Sequence, residues 1–150
     1  ENLANFNGLK YFEVSKKYSV EAKVIPMERQ LTVFKTNTER SPEYYTICKL
    51  QFEVDGHHGE LIAYSIDSIH PNSLFIPFKD LSNNKTSYGA GRYIDCEMEE
   101  GKNTLTLDFN RSYNPYCHYN HNYSCPVVPE SNHLKFEILA GEKMLYENAH

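Results

Sequence analysis

Apolar side chains recur at every second position through most of this 150-residue chain, and almost nowhere at helical spacing. That period belongs to strands with one face in a core and the other in water. Val20, Ala22 and Val24 alternate with Glu21 and Lys23, and Leu31 and Val33 follow a corner at Pro26. Cys48, Leu50, Phe52 and Val54 alternate with Lys49, Gln51 and Glu53. Asp55-Gly56 then marks a hairpin whose return strand covers residues 61–66. Residues 74–78 and 88–98 form the next pair, with 82–86 turning between them, and Glu100-Gly101 leads into 105–109. A polar connection, 111–132, precedes a last strand at 134–140. The expectation is all-β: an antiparallel barrel or closed sandwich of about eight strands with one long ordered loop, 111–132. A short helix before Gly8 would be the one exception. No repeat or linker divides the chain, so residues 1–150 are expected to form a single domain.

Composition narrows the function classes. With 40% hydrophobic and 23% charged residues the chain is neither disordered nor a coiled coil. Fifteen Lys and Arg against twenty Asp and Glu leave −5, the wrong sign for a general nucleic-acid binder. No apolar run approaches the ~18 residues of a membrane span. No signal peptide is visible at Glu1, though a trimmed chain would lack one too. The expected partner is an unknown small molecule, with no nucleic acid and no membrane span.

Phase along the strands nominates a site. Leu74, Ile76 and Phe78 lead in steps of two to Asp80; Met98, Cys96 and Ile94 lead back to Arg92; Leu105, Leu107 and Phe109 lead on to Arg111. Three consecutive antiparallel strands would bring Asp80, Arg92 and Arg111 to one end. A carboxylate between two guanidiniums at the mouth of an apolar interior reads as an anion site, and equally as a buried ion pair that plugs the barrel. Leu134, Phe136, Ile138 and Ala140 lead to Glu142, whose end of the barrel depends on how the long loop crosses. One bulge would reverse any of these phases.

The 111–132 connection holds Cys117, His118, His121 and Cys125. Zinc, a Cys117–Cys125 disulfide and free thiols are all open at this stage. Cys48 and Cys96 are in phase with apolar neighbours and read as core thiols. There is no GxSxG elbow, HExxH or phosphate loop, so no cofactor or metal is called for. Gly89-Ala90-Gly91 reads as a bulge or a close backbone approach beside Arg92.

Several segments together resemble a bacterial and archaeal family, the domain of unknown function 1684. They are Phe78-Lys79-Asp80 with Thr86, Tyr88-Gly-Ala-Gly-Arg92-Tyr93, Leu107-Asp108-Phe109-Asn110-Arg111 and Tyr113-Asn114-Pro115. Cys117, Tyr119-Asn120, Cys125-Pro126, Pro129-Glu130, Asn132 and Ala140-Gly141-Glu142-Lys143 continue the pattern, so the motif-bearing part is about 74–143. The family has no established activity, so the resemblance implies no mechanism. It places Asp80, Arg92, Arg111, Glu130, Asn132, Glu142 and both loop cysteines on motif positions. His118 and His121 fall off the pattern, which weakens zinc and leaves the cysteines as a pair, bonded if the protein is exported. The stretch from Gly8-Leu9 to Tyr18-Ser-Val-Glu-Ala resembles shorter exported members, which implies the periplasm or cell surface after signal removal. Long members carry an extra N-terminal region that this chain is expected to have only in part; if that region closes the site, the resemblance implies a more open site here.

Three function classes follow. A binding module would hold a small acidic or polar ligand at Arg92 and Arg111, lined by Tyr88, Tyr113 and Asn114, with Asp108, Asn110, Glu130, Asn132 and Glu142 nearby. A hydrolase would use Asp80, Asp108 or Glu130 as acid or base at the same place. In a structural or interaction protein the charged cluster would only close the core.

Overall fold

The computed structural model describes residues 9–38, 41–69, 71–119 and 125–144. The helix expected before Gly8 lies outside them. Seven strands form one antiparallel sheet: β1 (Ser19–Pro26), β2 (Leu31–Val33), β3 (Glu43–Val54), β4 (His57–Ser65), β5 (Ser73–Phe78), β6 (Arg92–Glu97) and β7 (Thr104–Asp108). The order is β6-β5-β4-β3-β1-β7, with β2 beside β3. Asp55 and Gly56, both at positive φ (51° and 82°), make the tight β3–β4 hairpin that the Asp-Gly pair favours.

The closed barrel of about eight strands is not what forms. The sheet curls into a half-barrel, because β6 and β7 follow one another in the chain yet do not pair. At Tyr93 the free edge of β6 is taken by Tyr113, whose main chain exchanges two 2.9 Å hydrogen bonds with it. β6 itself starts at Arg92, four residues later than the alternation predicts, because residues 88–91 turn. Gly91 makes that turn at φ +96°, where a Cβ would lie 2.5 Å from the carbonyl of Phe78.

A bulge in β3 resets the faces. Thr46 pairs with Tyr64 and Cys48 with Ala63, leaving Ile47 as the extra residue. From Cys48 onward the even positions face the core; before the bulge Tyr44 and Thr46 face outward with Tyr64. The half-barrel interior is filled by Ala22, Leu50, Leu61, Ile76, Phe78, Ile94, Leu107 and their neighbours.

The expected last strand is also revised. Residues 134–140 keep their alternation, with Leu134, Phe136, Ile138 and Ala140 buried, but they join no ladder. The segment packs its even residues onto the core and leaves Lys135, Glu137 and Leu139 exposed, and Phe136 stacks on the exposed His57 (centroids 5.1 Å apart). Leu134 N–H donates to the Lys79 carbonyl (2.7 Å) and Leu81 N–H to the Phe136 carbonyl (3.1 Å), just beyond β5, but the main-chain groups from Ile138 onward need other partners.

Candidate functional site

Asp80 and Arg92 supply them. The register Phe78↔Arg92 turns the arginine inward with Ile94, and Asp80 lies just beyond the end of β5. Asp80 Oδ1 is 3.2 Å from Arg92 Nη2, and both side chains are 0% exposed. Arg92 Nη2 donates to the Ile138 carbonyl (2.8 Å), and Nη1 donates to the carbonyls of Ala140 and Glu142. Asp80 Oδ2 accepts the Ile138 N–H (2.7 Å), the Ser82 N–H (3.1 Å) and the Ser82 hydroxyl (2.5 Å). The guanidinium lies over the Phe78 ring at 5.2 Å. Burial pulls its pKa down, and the Asp80 charge opposes that shift. Arg92 Nε has no hydrogen-bond partner among the described residues. The ion pair thus takes the place of a strand neighbour for the segment from Ile138 onward.

Arg111 does not join it. After Leu107 and Phe109 the chain enters a 3₁₀ turn (Phe109–Arg111), alternation ends, and Ser112 is buried while Arg111 is exposed. The expected two-arginine cluster is therefore split, because period two cannot be extended through a turn with three residues per repeat.

Other motif residues hold the backbone together. Buried Glu142 accepts the Asn114 N–H (2.8 Å) and the Tyr119 hydroxyl. Burial raises its pKa, while the Asn114 bond and the Arg92 charge oppose the rise. Asn114 Nδ2 donates to the Lys143 carbonyl (2.9 Å), and its Oδ1 has no partner among the described residues. Fully buried Asn132 bonds both main-chain groups of Ile62 (2.9 and 3.0 Å) and the carbonyl of Pro77 (2.7 Å), tying β4 to β5. Asn110 bonds both main-chain groups of Ser15, and Asp108 caps the Asn110 N–H (3.0 Å). Tyr88 packs on His118 (centroids 4.4 Å apart), and Glu130 is exposed in a 3₁₀ turn. These roles account for residue types that sequence reasoning grouped into a ligand site.

Open space lies elsewhere. A cleft of about 660 Å³ occupies the unclosed seam between β6 and β7, with Asp95 and Glu97 on one wall, Thr104, Thr106 and Asp108 on the other, and Arg111 at its rim. A second, of about 540 Å³, lies on the outer face of β5 and β6. Its floor is aromatic: Tyr44 stacks on Phe75 (5.1 Å), Phe75 meets Tyr93 edge-on (4.7 Å), and Tyr93 meets Tyr113 edge-on (5.8 Å). Pro115, Tyr116, Cys125 and Pro126 from the long connection form the facing wall.

That wall is held at several points, including the Val127 N–H bond to the Lys35 carbonyl (2.7 Å) and the Cys125 N–H bond to Asn37 Oδ1 (2.9 Å). Cys117 and Cys125 are disulfide-bonded with Cα atoms 6.3 Å apart. The Tyr93 hydroxyl donates to the Pro126 carbonyl at 2.6 Å. The Tyr113 hydroxyl donates to Asp95 Oδ2 at 2.9 Å, and burial together with that carboxylate pushes the phenol pKa well above its usual range. Cys48 and Cys96 are free thiols, raised by burial to about 11 and about 12. Among the described residues no group of His, Cys, Asp and Glu is arranged to hold a metal; His121 lies outside them. No helix among those residues is long and apolar enough to cross a membrane.

Tyr44, Phe75, Tyr93 and Asp95 were not among the candidates drawn from the sequence. The available signal was aromatic residues on the outward phase of β5 and β6, where alternation predicts polar ones.

The class of protein is thus an antiparallel half-barrel that seats an extended segment on a buried Asp–Arg pair and carries an aromatic cleft outside. The chain belongs to the family described as Protein of unknown function (DUF1684), whose model matches residues 4–143, well beyond the 74–143 stretch that carries the motifs. It is similar to the solution NMR structure of an uncharacterised protein of Haloarcula marismortui, at 36% identity and a TM-score of 0.77, over 93% of this chain and 78% of that one. No curated protein matches it.

Proposed function

We propose that the protein is a small-molecule-binding β-domain and that its ligand site is the aromatic cleft on the outer face of β5 and β6. One observation carries the reading: an aromatic-floored concavity of about 540 Å³ in which one carboxylate, Asp95, is oriented by a tyrosine hydroxyl. Apolar walls with a few placed polar groups are the usual make-up of a ligand pocket. An arginine-read acidic ligand has less support, since Arg92 is sealed against Asp80 and Arg111 is exposed away from it. The hydrolase reading also has less support, because Asp80 is sealed, Asp108 caps a turn and Glu130 is exposed. The Cys117–Cys125 bond supports an oxidising compartment and therefore export.

The test is a ¹⁵N-resolved NMR titration with a series of polar fragments. Binding is expected to move the amides of Tyr93, Asp95 and Tyr113. Fragments that bind only at Arg111, or nowhere, would overturn the assignment.

A further inference from the structure

We infer that the aromatic cleft takes an organic cation, an ammonium group carrying alkyl substituents; this rests on the cleft being the ligand site and adds the charge of its occupant. Tyr93, Asp95 and Glu97 alternate onto the outer face of β6, so one aromatic and two carboxylates share that side of the strand. Both carboxylates are held by neutral hydroxyls: Tyr113 donates to Asp95, and Ser73 donates to Glu97 Oε1 at 2.8 Å. Neither has an ion-pair partner among the described residues, and none of the described residues lining the cleft is basic.

The negative charge at the rim is thus held by hydroxyls and in no ion pair among the described residues, beside the rings of Tyr44, Phe75 and Tyr93, while Lys102 and Arg111 line the adjoining seam that the two carboxylates also border. Ring quadrupoles and carboxylates attract the same kind of guest, a weakly hydrated cation with an apolar coat. An anion would meet two like charges there. A neutral apolar guest would gain nothing from them. The net charge of −5 adds a long-range field of the same sign.

Choline tests this against two compounds of the same shape, neutral 3,3-dimethyl-1-butanol and anionic 3,3-dimethylbutanoate, each titrated into the ¹⁵N-labelled protein. Choline is expected to move the Tyr93, Asp95 and Tyr113 amides, the alcohol to bind at least tenfold more weakly, and the carboxylate not to bind there. Asp95→Asn combined with Glu97→Gln changes two exposed side chains. That variant should keep the native spectrum and lose at least tenfold in choline affinity. If the alcohol or the carboxylate binds the cleft as tightly as choline, the cation inference falls and the cleft remains a ligand site. Failure of all three, with another fragment entering the cleft, also overturns only the cation. If nothing enters the cleft, both readings fall.

Discussion

Arg92 Nη2 donates a 2.8 Å hydrogen bond to the carbonyl of Ile138, a residue whose N–H is bound by Asp80 at 2.7 Å. An ion pair thereby makes the two hydrogen bonds that a strand neighbour would make to Ile138. The pair's net contribution as charges can be small, since its attraction is spent on desolvation. Its larger role is to satisfy buried main-chain groups that have no ladder partner.

Arg92→Met is expected to cost about 3–5 kcal/mol, because it strands the Asp80 carboxylate and three main-chain carbonyls inside the barrel. Urea denaturation measures it. A cost below about 1 kcal/mol would mean that water reaches the pair and that it does not hold the segment from Ile138 onward.

Gly141→Ala should destabilise more than Gly101→Ala. Both glycines have positive φ, +78° and +81°. At Gly101 a Cβ meets nothing within 4 Å, whereas at Gly141 it would lie 2.8 Å from the carbonyl of Phe109 and collide with the Ser112 hydroxyl. Left-handed strain alone costs about 1 kcal/mol or somewhat more. Equal melting temperatures for the two variants would argue against the close approach.

Replacing Cys117 and Cys125 by Ala removes a bridge with a sequence separation of 8 and should cost about 2–3 kcal/mol by the chain-entropy model. It should also loosen the wall over Tyr93, read as faster hydrogen exchange at Tyr93 and Tyr113. Unchanged exchange there would detach the disulfide from the cleft.

Buried Tyr93 and half-buried Tyr113 give the stability a sign with pH. Tyr113 and Tyr93 have folded pKa values above the unfolded value of ~10. Their contribution is therefore complete below about pH 10 and is lost as pH rises beyond it, because the unfolded chain releases those protons first. Absorbance at 295 nm should show tyrosines that ionise only on alkaline unfolding. Tyr113→Phe should flatten the alkaline slope; an unchanged slope would place the Tyr113 hydroxyl in water.

Strand content and the inward faces of β1, β5, β6 and β7 were legible because period two is a local property of extended chain: Ala22, Ile76, Ile94 and Leu107 are buried as alternation demands. Asp80 and Arg92 were legible for the same reason, being one phase step from those faces. Arg111 was not, because a 3₁₀ turn lies between it and Phe109. Tyr44 was not, because the bulge at Ile47 reverses its face.

The sequence by itself therefore determined the strands, the hairpin at Asp55-Gly56 and the inward side chains, since steric alternation and turn chemistry act over neighbouring residues. Only the tertiary structure decided that β6 and β7 stay apart, that residues 134–140 lie on the core as an extended segment outside the sheet, and that the aromatic cleft forms outside. Each depends on a pairing between residues far apart in the chain: Tyr93 with Tyr113, Arg92 with Ile138, Tyr44 with Phe75. Such pairings are settled by which partner best satisfies buried main-chain groups and ring faces, and that competition is not written in any local pattern.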